Sequence, residues 1–225
     1  MEDEAIIWDE AAIAAIIAGA LLLLPQARQL WRQLARGQVN NPSADVLLRL
    51  SIQFKEQMKA LFVSDQSIAD LQNAIKDLIT VEFLIALFVQ LGDWSQVTQA
   101  AVDENSEELE KQLAFLQNMA IEIETGQQPQ NGSLLTRVGL YGVAIWAIYQ
   151  GIKGLFARRA GATHAGRILG IADHCEDCKA WEIGTQGIVP IDEIQSIGSS
   201  VCSSNCHCSI EYYRRLNGRF EQVTV

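Results

Sequence analysis

All five cysteines of the chain lie between positions 175 and 208. They form a pair, Cys175-x2-Cys178, and after 23 further residues a triplet, Cys202-x3-Cys206-x-Cys208. Cysteines this close in sequence cannot join distant parts of a domain by disulfides, whereas a Cys-x2-Cys turn can place two sulfurs on one metal ion. Zinc prefers a closed, sulfur-rich tetrahedral shell, which leaves no open position for catalysis. The pattern therefore predicts a structural Zn2+ site, with candidate ligands Cys175, Cys178, Cys202, Cys206 and Cys208.

Four ligands fill a zinc shell, and the sequence does not fix which four. His174 and His207 adjoin the cysteines and add two candidates. An iron–sulfur cluster takes the same ligands, and plain buried thiols or redox use of the Cys-x2-Cys pair are further alternatives. His174-Cys175-Glu176 matches one element of zinc nucleobase deaminases, but the Pro-Cys-x2-Cys element of those enzymes is missing. We expect no catalytic and no cofactor-binding residues, and predict that the chain is not an enzyme.

Charge and composition narrow the class of protein. The formal net charge is −10, and 49% of the residues are hydrophobic, which is ample for a folded core. Residues 1–150 carry 9 Lys or Arg against 19 Asp or Glu, whereas residues 151–225 carry 8 against 8. This balance argues against a sequence-independent grip on nucleic acid, and no sequence-specific nucleic-acid partner is expected. The two halves of the chain are expected to be different modules.

An apolar run occupies positions 11–24 near the N-terminus. Acidic residues precede it, which is unlike a secretory signal, and Pro25 and Arg28 end it before the roughly 18 to 20 residues that a membrane span requires. We expect a helix that is buried or covered by a partner. Membrane contact through residues 6–24 is the alternative.

The remaining pattern predicts a mainly α fold, in which a helical N-terminal region is followed by a small metal-stapled α+β module. Apolar residues recur at helical steps over 46–62, 71–91 and 105–125. The polar segment 126–133 is expected to be a loop, after which a helical pattern resumes over 134–156. The predicted domains are residues 1–128, a connecting helix over 134–160, and a cysteine-rich module over 161–225.

The C-terminal module offers few large apolar groups for its size. Its predicted core consists of Ile168, Leu169, Ile171, Trp181, Ile188, Ile191, Ile194 and Ile197. A module this small usually needs a further constraint, and metal binding would contribute about 10 kcal/mol. The β-prone segment 208–213 predicts a short strand.

A family resemblance rests on the same segment. Residues 167–215, RILGIADHCEDCKAWEIGTQGIVPIDEIQSIGSSVCSSNCHCSIEYYRR, resemble the C-terminal part of head-morphogenesis proteins of tailed bacteriophages, related to Mu F-like minor head proteins. The preceding RVGLYG, with Arg137, Leu140, Tyr141 and Gly142, is similar to a helix of that family. The resemblance is strong over 134–215 and only general before that, and the family's cysteine positions fall on the five cysteines given above.

The resemblance implies a non-enzymatic virion structural or assembly protein. It would be found in the virion as a minor head, portal or neck component and be assembled in the host cytoplasm. Its expected partners are other virion proteins (portal, capsid or neck) and further copies of itself. The alternatives are a zinc-dependent enzyme or DNA-processing factor acting in head assembly, and a membrane-associated phage protein delivered with the genome.

Overall fold

A computed structural model describes Leu47, Glu56 and residues 68–92, 96–127, 134, 144–170, 175–197 and 208–225. Helices make up 58% of these residues, and a small antiparallel sheet of four strands accompanies them. The predicted combination of a helix-rich region with a small α+β part is therefore confirmed. The predicted apolar helix over 6–24 and nearly all of the predicted helix over 46–62 lie outside the described residues. Within the described ranges, no helix combines the length and apolar character needed to cross a bilayer.

The first helix, α1, spans Ile68–Leu91. Its apolar residues follow the predicted helical spacing, and an unbroken buried stretch runs from Leu78 to Val89. The helix ends at Gly92, which adopts a φ of 78° and donates its N–H to the carbonyl of Phe88 at 2.8 Å. Glycine reaches this left-handed conformation without a steric penalty, so the predicted break at Gly92 is confirmed.

The second helix, α2, spans Gln99–Glu124. It begins six residues before the predicted start at Asn105, because the side chain of Thr98 accepts a hydrogen bond from the Ala101 N–H at 3.3 Å and caps the helix. The apolar spacing over 105–125 predicts one inward face formed by Leu109, Leu113, Leu116, Ala120 and Ile123, and this is confirmed: four of them are buried, and Leu113 packs partly buried against the core.

The third helix, α3, spans Ala144–Arg159 and continues the helical pattern predicted from residue 134. It packs against α1, α2 and strand β3 of the sheet, so it lies between the helical and the cysteine-rich parts of the chain. Its aromatic residues belong to the core, as expected: Trp146 is buried, and Tyr149 and Phe156 pack against the same cluster.

The sheet has the strand order β2-β1-β3-β4, with every neighbouring pair antiparallel. The strands are β1 (His164–Ile168), β2 (Val189–Pro190), β3 (Ser209–Leu216) and β4 (Arg219–Val223), and the short helix α4 (Glu176–Ala180) follows β1. Strand β3 confirms the strand predicted at 208–213. Asn217 and Gly218 form the turn between β3 and β4 with φ values of 49° and 79°, as a type I′ hairpin requires.

One continuous cluster of buried residues runs from the helices into the sheet. Of the predicted module core, Ile191 and Ile197 are buried, whereas Ile168, Leu169, Trp181, Ile188 and Ile194 are half-buried and Ile171 lies outside the described residues. Cys178, Cys208 and Tyr212 are buried in their place. The division into domains at residues 128 and 161 stays a prediction.

Glu82 is an unusual member of this core. It lies in the middle of α1, is fully buried, and neither carboxylate oxygen has a hydrogen-bond partner among the residues that the structure describes. Burial raises its pKa well above the ordinary value of 4.5. A carboxylate without partners in an apolar core costs stability whenever it is ionised.

Replacing Glu82 with methionine should therefore stabilise the fold, by about 1–3 kcal/mol near neutral pH. Because the folded state holds the Glu82 proton more tightly than the unfolded chain does, the native protein loses stability as the pH rises above about 4.5 toward the raised pKa. The difference in the free energy of unfolding between Glu82→Met and the native chain should thus increase with pH, as measured by chemical denaturation. The exposed control Asp77→Asn, on the same helix, should show no such increase. If this difference in unfolding free energy were constant from pH 4 to 8, the raised pKa of Glu82 would be contradicted.

Candidate metal centre

Cys175 and Cys178 lie on one tight turn of the backbone. Cys175 occupies the N-cap position of α4 with φ −68° and ψ 162°, and its carbonyl accepts a hydrogen bond from the Lys179 N–H at 3.2 Å. Cys178 follows within the helix and is fully buried, whereas Cys175 is half-buried and packs against the same core. The pair therefore sits at the surface of the core, on a chain segment of the shape that a Cys-x2-Cys metal site uses.

Cys208 lies immediately before β3 and is also fully buried. Its carbonyl accepts a hydrogen bond of 2.8 Å from the indole Nε1 of Trp146. Two residues later, the Ile210 N–H donates to Gln150 Oε1 at 3.2 Å. Helix α3 therefore fixes the backbone of the last predicted ligand through two side chains.

Arg167 connects the pieces of this region. It belongs to β1, is 0% exposed, and donates from Nη1 to the Sγ of Cys178 at 3.3 Å. Its Nη2 donates to the backbone carbonyls of Gln195 and Ser196. Its own carbonyl accepts from the Ile183 N–H at 2.8 Å, which brings the chain after α4 back to β1. Arg167 is not among the residues predicted from the sequence, although a lone cation within an apolar β-prone segment is a signal for it.

The guanidinium of Arg167 has no carboxylate within ion-pair distance among the residues that the structure describes. Its partners are one sulfur and two carbonyls, and its Nε has no hydrogen-bond partner there. A buried cation requires a nearby negative charge, and a cation beside a thiol favours the thiolate, which is the form that binds metals. The chemistry of the donor set thus fits a metal-bound thiolate at Cys178.

The complete ligand set is not covered by the described residues. Among them, no group of three or more His, Cys, Asp or Glu side chains lies close enough to hold a metal ion. Cys202 and Cys206, together with His174 and His207, lie outside the described residues. Zn2+ binding by the five cysteines therefore stays a prediction.

The carboxylates singled out in the sequence are not gathered at the cysteines. The Glu176 side chain is 89% exposed and pairs with Lys179 at 2.8 Å, which lowers its pKa. It accordingly does not resemble the buried proton shuttle of a deaminase. The adjacent acidic pair Glu107-Glu108 predicts a solvated face or a helix start, and for Glu108 the prediction of a solvated face is wrong. Helix α3 approaches α2 so closely at Gly151 that Glu108 is buried there, and burial raises its pKa.

No protein-family model, curated protein or solved structure matches this chain. The resemblance of residues 134–215 to phage head-morphogenesis proteins therefore rests on the sequence motifs given above.

The role of Arg167 can be tested by substitution. Arg167→Met should destabilise the fold by about 2–3 kcal/mol, because it removes a charged donor from buried partners. Arg167→Lys should not restore the loss, since an ammonium cannot match the fork that reaches the sulfur and both carbonyls. The control Lys179→Met removes an exposed cation of the same region and should cost at most about 1 kcal/mol. Equal denaturation midpoints for Arg167→Lys and the native chain would show that the guanidinium is dispensable.

Proposed function

We propose that the chain is a non-enzymatic structural or assembly component of a tailed-phage particle, and that its C-terminal cysteines hold a structural zinc ion. The assignment to a phage particle is supported by the sequence motifs of residues 134–215. The metal assignment is supported by one structural observation, which is the buried guanidinium of Arg167 in contact with Cys178, with no described carboxylate within ion-pair distance.

The charge balance of such a site explains this contact. Four thiolates around Zn2+ carry a net charge of −2, which a low-dielectric core does not tolerate without compensation. Arg167 would supply one positive charge and a hydrogen bond to one ligand sulfur. Hydrogen bonds of this kind orient metal ligands and tune their donor strength. The same residue holds the 195–196 segment, which precedes the second cysteine cluster by a few positions.

Burial of two of the three described cysteines favours a structural role for the ion over a catalytic one. Cys178 and Cys208 are both 0% exposed. A catalytic zinc needs an open coordination position that a substrate can reach, whereas a structural zinc is enclosed by four protein ligands. The ion would then hold α4 and the start of β3 together.

Metal analysis of the purified full chain tests the site. We expect one zinc ion per chain, and an X-ray absorption spectrum in which sulfur donors account for the whole first coordination shell. Cys178→Ser should lower the zinc content and the thermal midpoint together, whereas the neighbouring-region control Ser209→Ala should leave both unchanged. A native chain that folds with no metal, or one that carries iron and sulfide, would refute the zinc assignment. A light-atom donor from water would favour the zinc-enzyme alternative.

The particle assignment has a separate test. Quantitative mass spectrometry of purified virions from the source phage should detect the chain at a fixed ratio to the major capsid protein. A ratio that corresponds to a few copies or one ring is expected for a minor head, portal or neck component. Absence from purified virions, with presence in infected-cell lysate, would exclude a permanent subunit and leave an assembly factor or an enzyme.

A further inference from the structure

The end of the β3–β4 hairpin is exposed although it carries large apolar and aromatic groups. From Arg214 to Gln222 every residue is exposed, and Leu216 and Phe220 remain 40% and 42% exposed. The type I′ turn at Asn217 and Gly218 fixes the register of the two strands. The hairpin is therefore an ordered surface that presents apolar area to solvent.

One face of this hairpin is organised around Phe220. Arg215 lies directly opposite Phe220 across the strands, so both side chains project from the same face. The Phe220 ring packs edge-to-face with His164 and with Tyr213, at ring-centroid distances of 5.0 and 6.5 Å, and the Arg215 guanidinium lies 5.9 Å from the centre of the Phe220 ring. Tyr213 is held in turn by a 2.7 Å hydrogen bond from its hydroxyl to Glu211. We call His164, Tyr213, Arg215 and Phe220 the hairpin patch.

An aromatic ring fixed by its neighbours, with an arginine beside it, has the composition of a binding hot spot. Arg215 has no carboxylate within ion-pair distance in the part of the chain that the structure describes, whereas its neighbour Arg214 pairs with Glu221 at 3.9 Å. The hairpin patch therefore offers one uncompensated cation next to a half-exposed aromatic ring. It fits a partner surface that presents carboxylates.

Helix α2 carries such a surface. Asp103, Glu107 and Glu110 are exposed and follow one another at steps of four and three, so they share one face of the helix. We call Asp103, Glu107 and Glu110 the acidic stripe. Lys111 compensates part of its charge by pairing with Glu107 at 3.0 Å.

We infer that the hairpin patch binds the acidic stripe of a second copy of this chain. The two surfaces are complementary in charge, and the hairpin patch adds the exposed apolar ring of Phe220. They belong to different elements, so each copy offers one surface and receives the other. Such a head-to-tail contact is heterologous, and it produces a closed ring or an open filament according to the rotation between copies. The inference uses neither the metal nor the particle assignment, and it stands if both of those fail.

The hairpin offers its own matched control. Arg219 has the same charge as Arg215 and lies four residues away, but it pairs with Leu216 on the opposite face of the strands. Arg215→Glu and Arg219→Glu therefore change the net charge equally and differ in the face that they alter. If the hairpin patch is the contact surface, the two substitutions should weaken self-association to different extents. If association is only a general electrostatic attraction between acidic and basic regions, they should weaken it equally.

Sedimentation velocity of the full chain, in low and in high salt, tests the contact. The native chain should self-associate more strongly in low salt. Arg215→Glu should weaken this association about tenfold or more, and the stripe variant Glu107→Lys/Glu110→Lys should weaken it to the same extent. Arg219→Glu should weaken it clearly less than either. Thermal midpoints and circular dichroism of each variant should match those of the native chain.

Charge exchange gives the decisive result. When the Arg215→Glu chain is mixed with the Glu107→Lys/Glu110→Lys chain, every hairpin patch again meets a stripe of opposite charge, and mixed assemblies should form. A native chain that stays monomeric in low salt, or variants that fail to associate when mixed, would overturn the inference. A different result would also overturn the inference: the native chain binds single-stranded DNA, Arg215→Glu removes that binding, and the same substitution leaves the sedimentation of the chain unchanged.

Discussion

The fold of the C-terminal half depends on the burial of one guanidinium. Arg167 is fully enclosed, and each of its contacts comes from a different segment: the sulfur of Cys178 in α4, the carbonyls of Gln195 and Ser196, and the strand β1 to which it belongs. Separating these segments would leave further buried donors of a charged group without partners, so the segments cannot move apart independently. The guanidinium consequently holds these segments together, as a larger apolar core does in other domains. The negative charge of the proposed thiolate site would balance its positive charge.

Helix α3 couples this region to the helical part of the chain. Trp146 and Gln150 bond the backbone of β3 at Cys208 and Ile210, and Lys153 donates to the Ile210 carbonyl at 3.4 Å. At Gly154 a Cβ atom would lie 2.8 Å from the Tyr212 hydroxyl, so the absence of a side chain allows helix and strand to approach closely. The other side of α3 packs on α1 and α2. The cysteine region is thus built onto the helices through a polar and aromatic contact.

The helices were predictable from sequence and the buried polar groups were not, for a physical reason. Helical periodicity is local, so α1 and the inward face of α2 could be predicted without tertiary information. The hairpin had a clear local signal in Asn217-Gly218 that the sequence analysis missed. Arg167, Glu82 and Glu108 are polar residues whose burial is decided by what packs against them, which no local pattern contains. The cysteine spacing predicts candidate ligands, which stay a prediction, whereas the contact of Arg167 with Cys178 came only from the structure.

The sheet edges bear on how this chain could contact another copy. Strand β2 at one edge is only two residues long and contains Pro190, which cannot donate a backbone hydrogen bond. Strand β4 at the other edge places Arg219 and Glu221 on one face, and charged side chains on an edge disfavour pairing with a further strand. Extension of the sheet from either edge is therefore opposed by its own residues. A contact through side chains of the hairpin, directed at a helix rather than at another strand, avoids this obstacle.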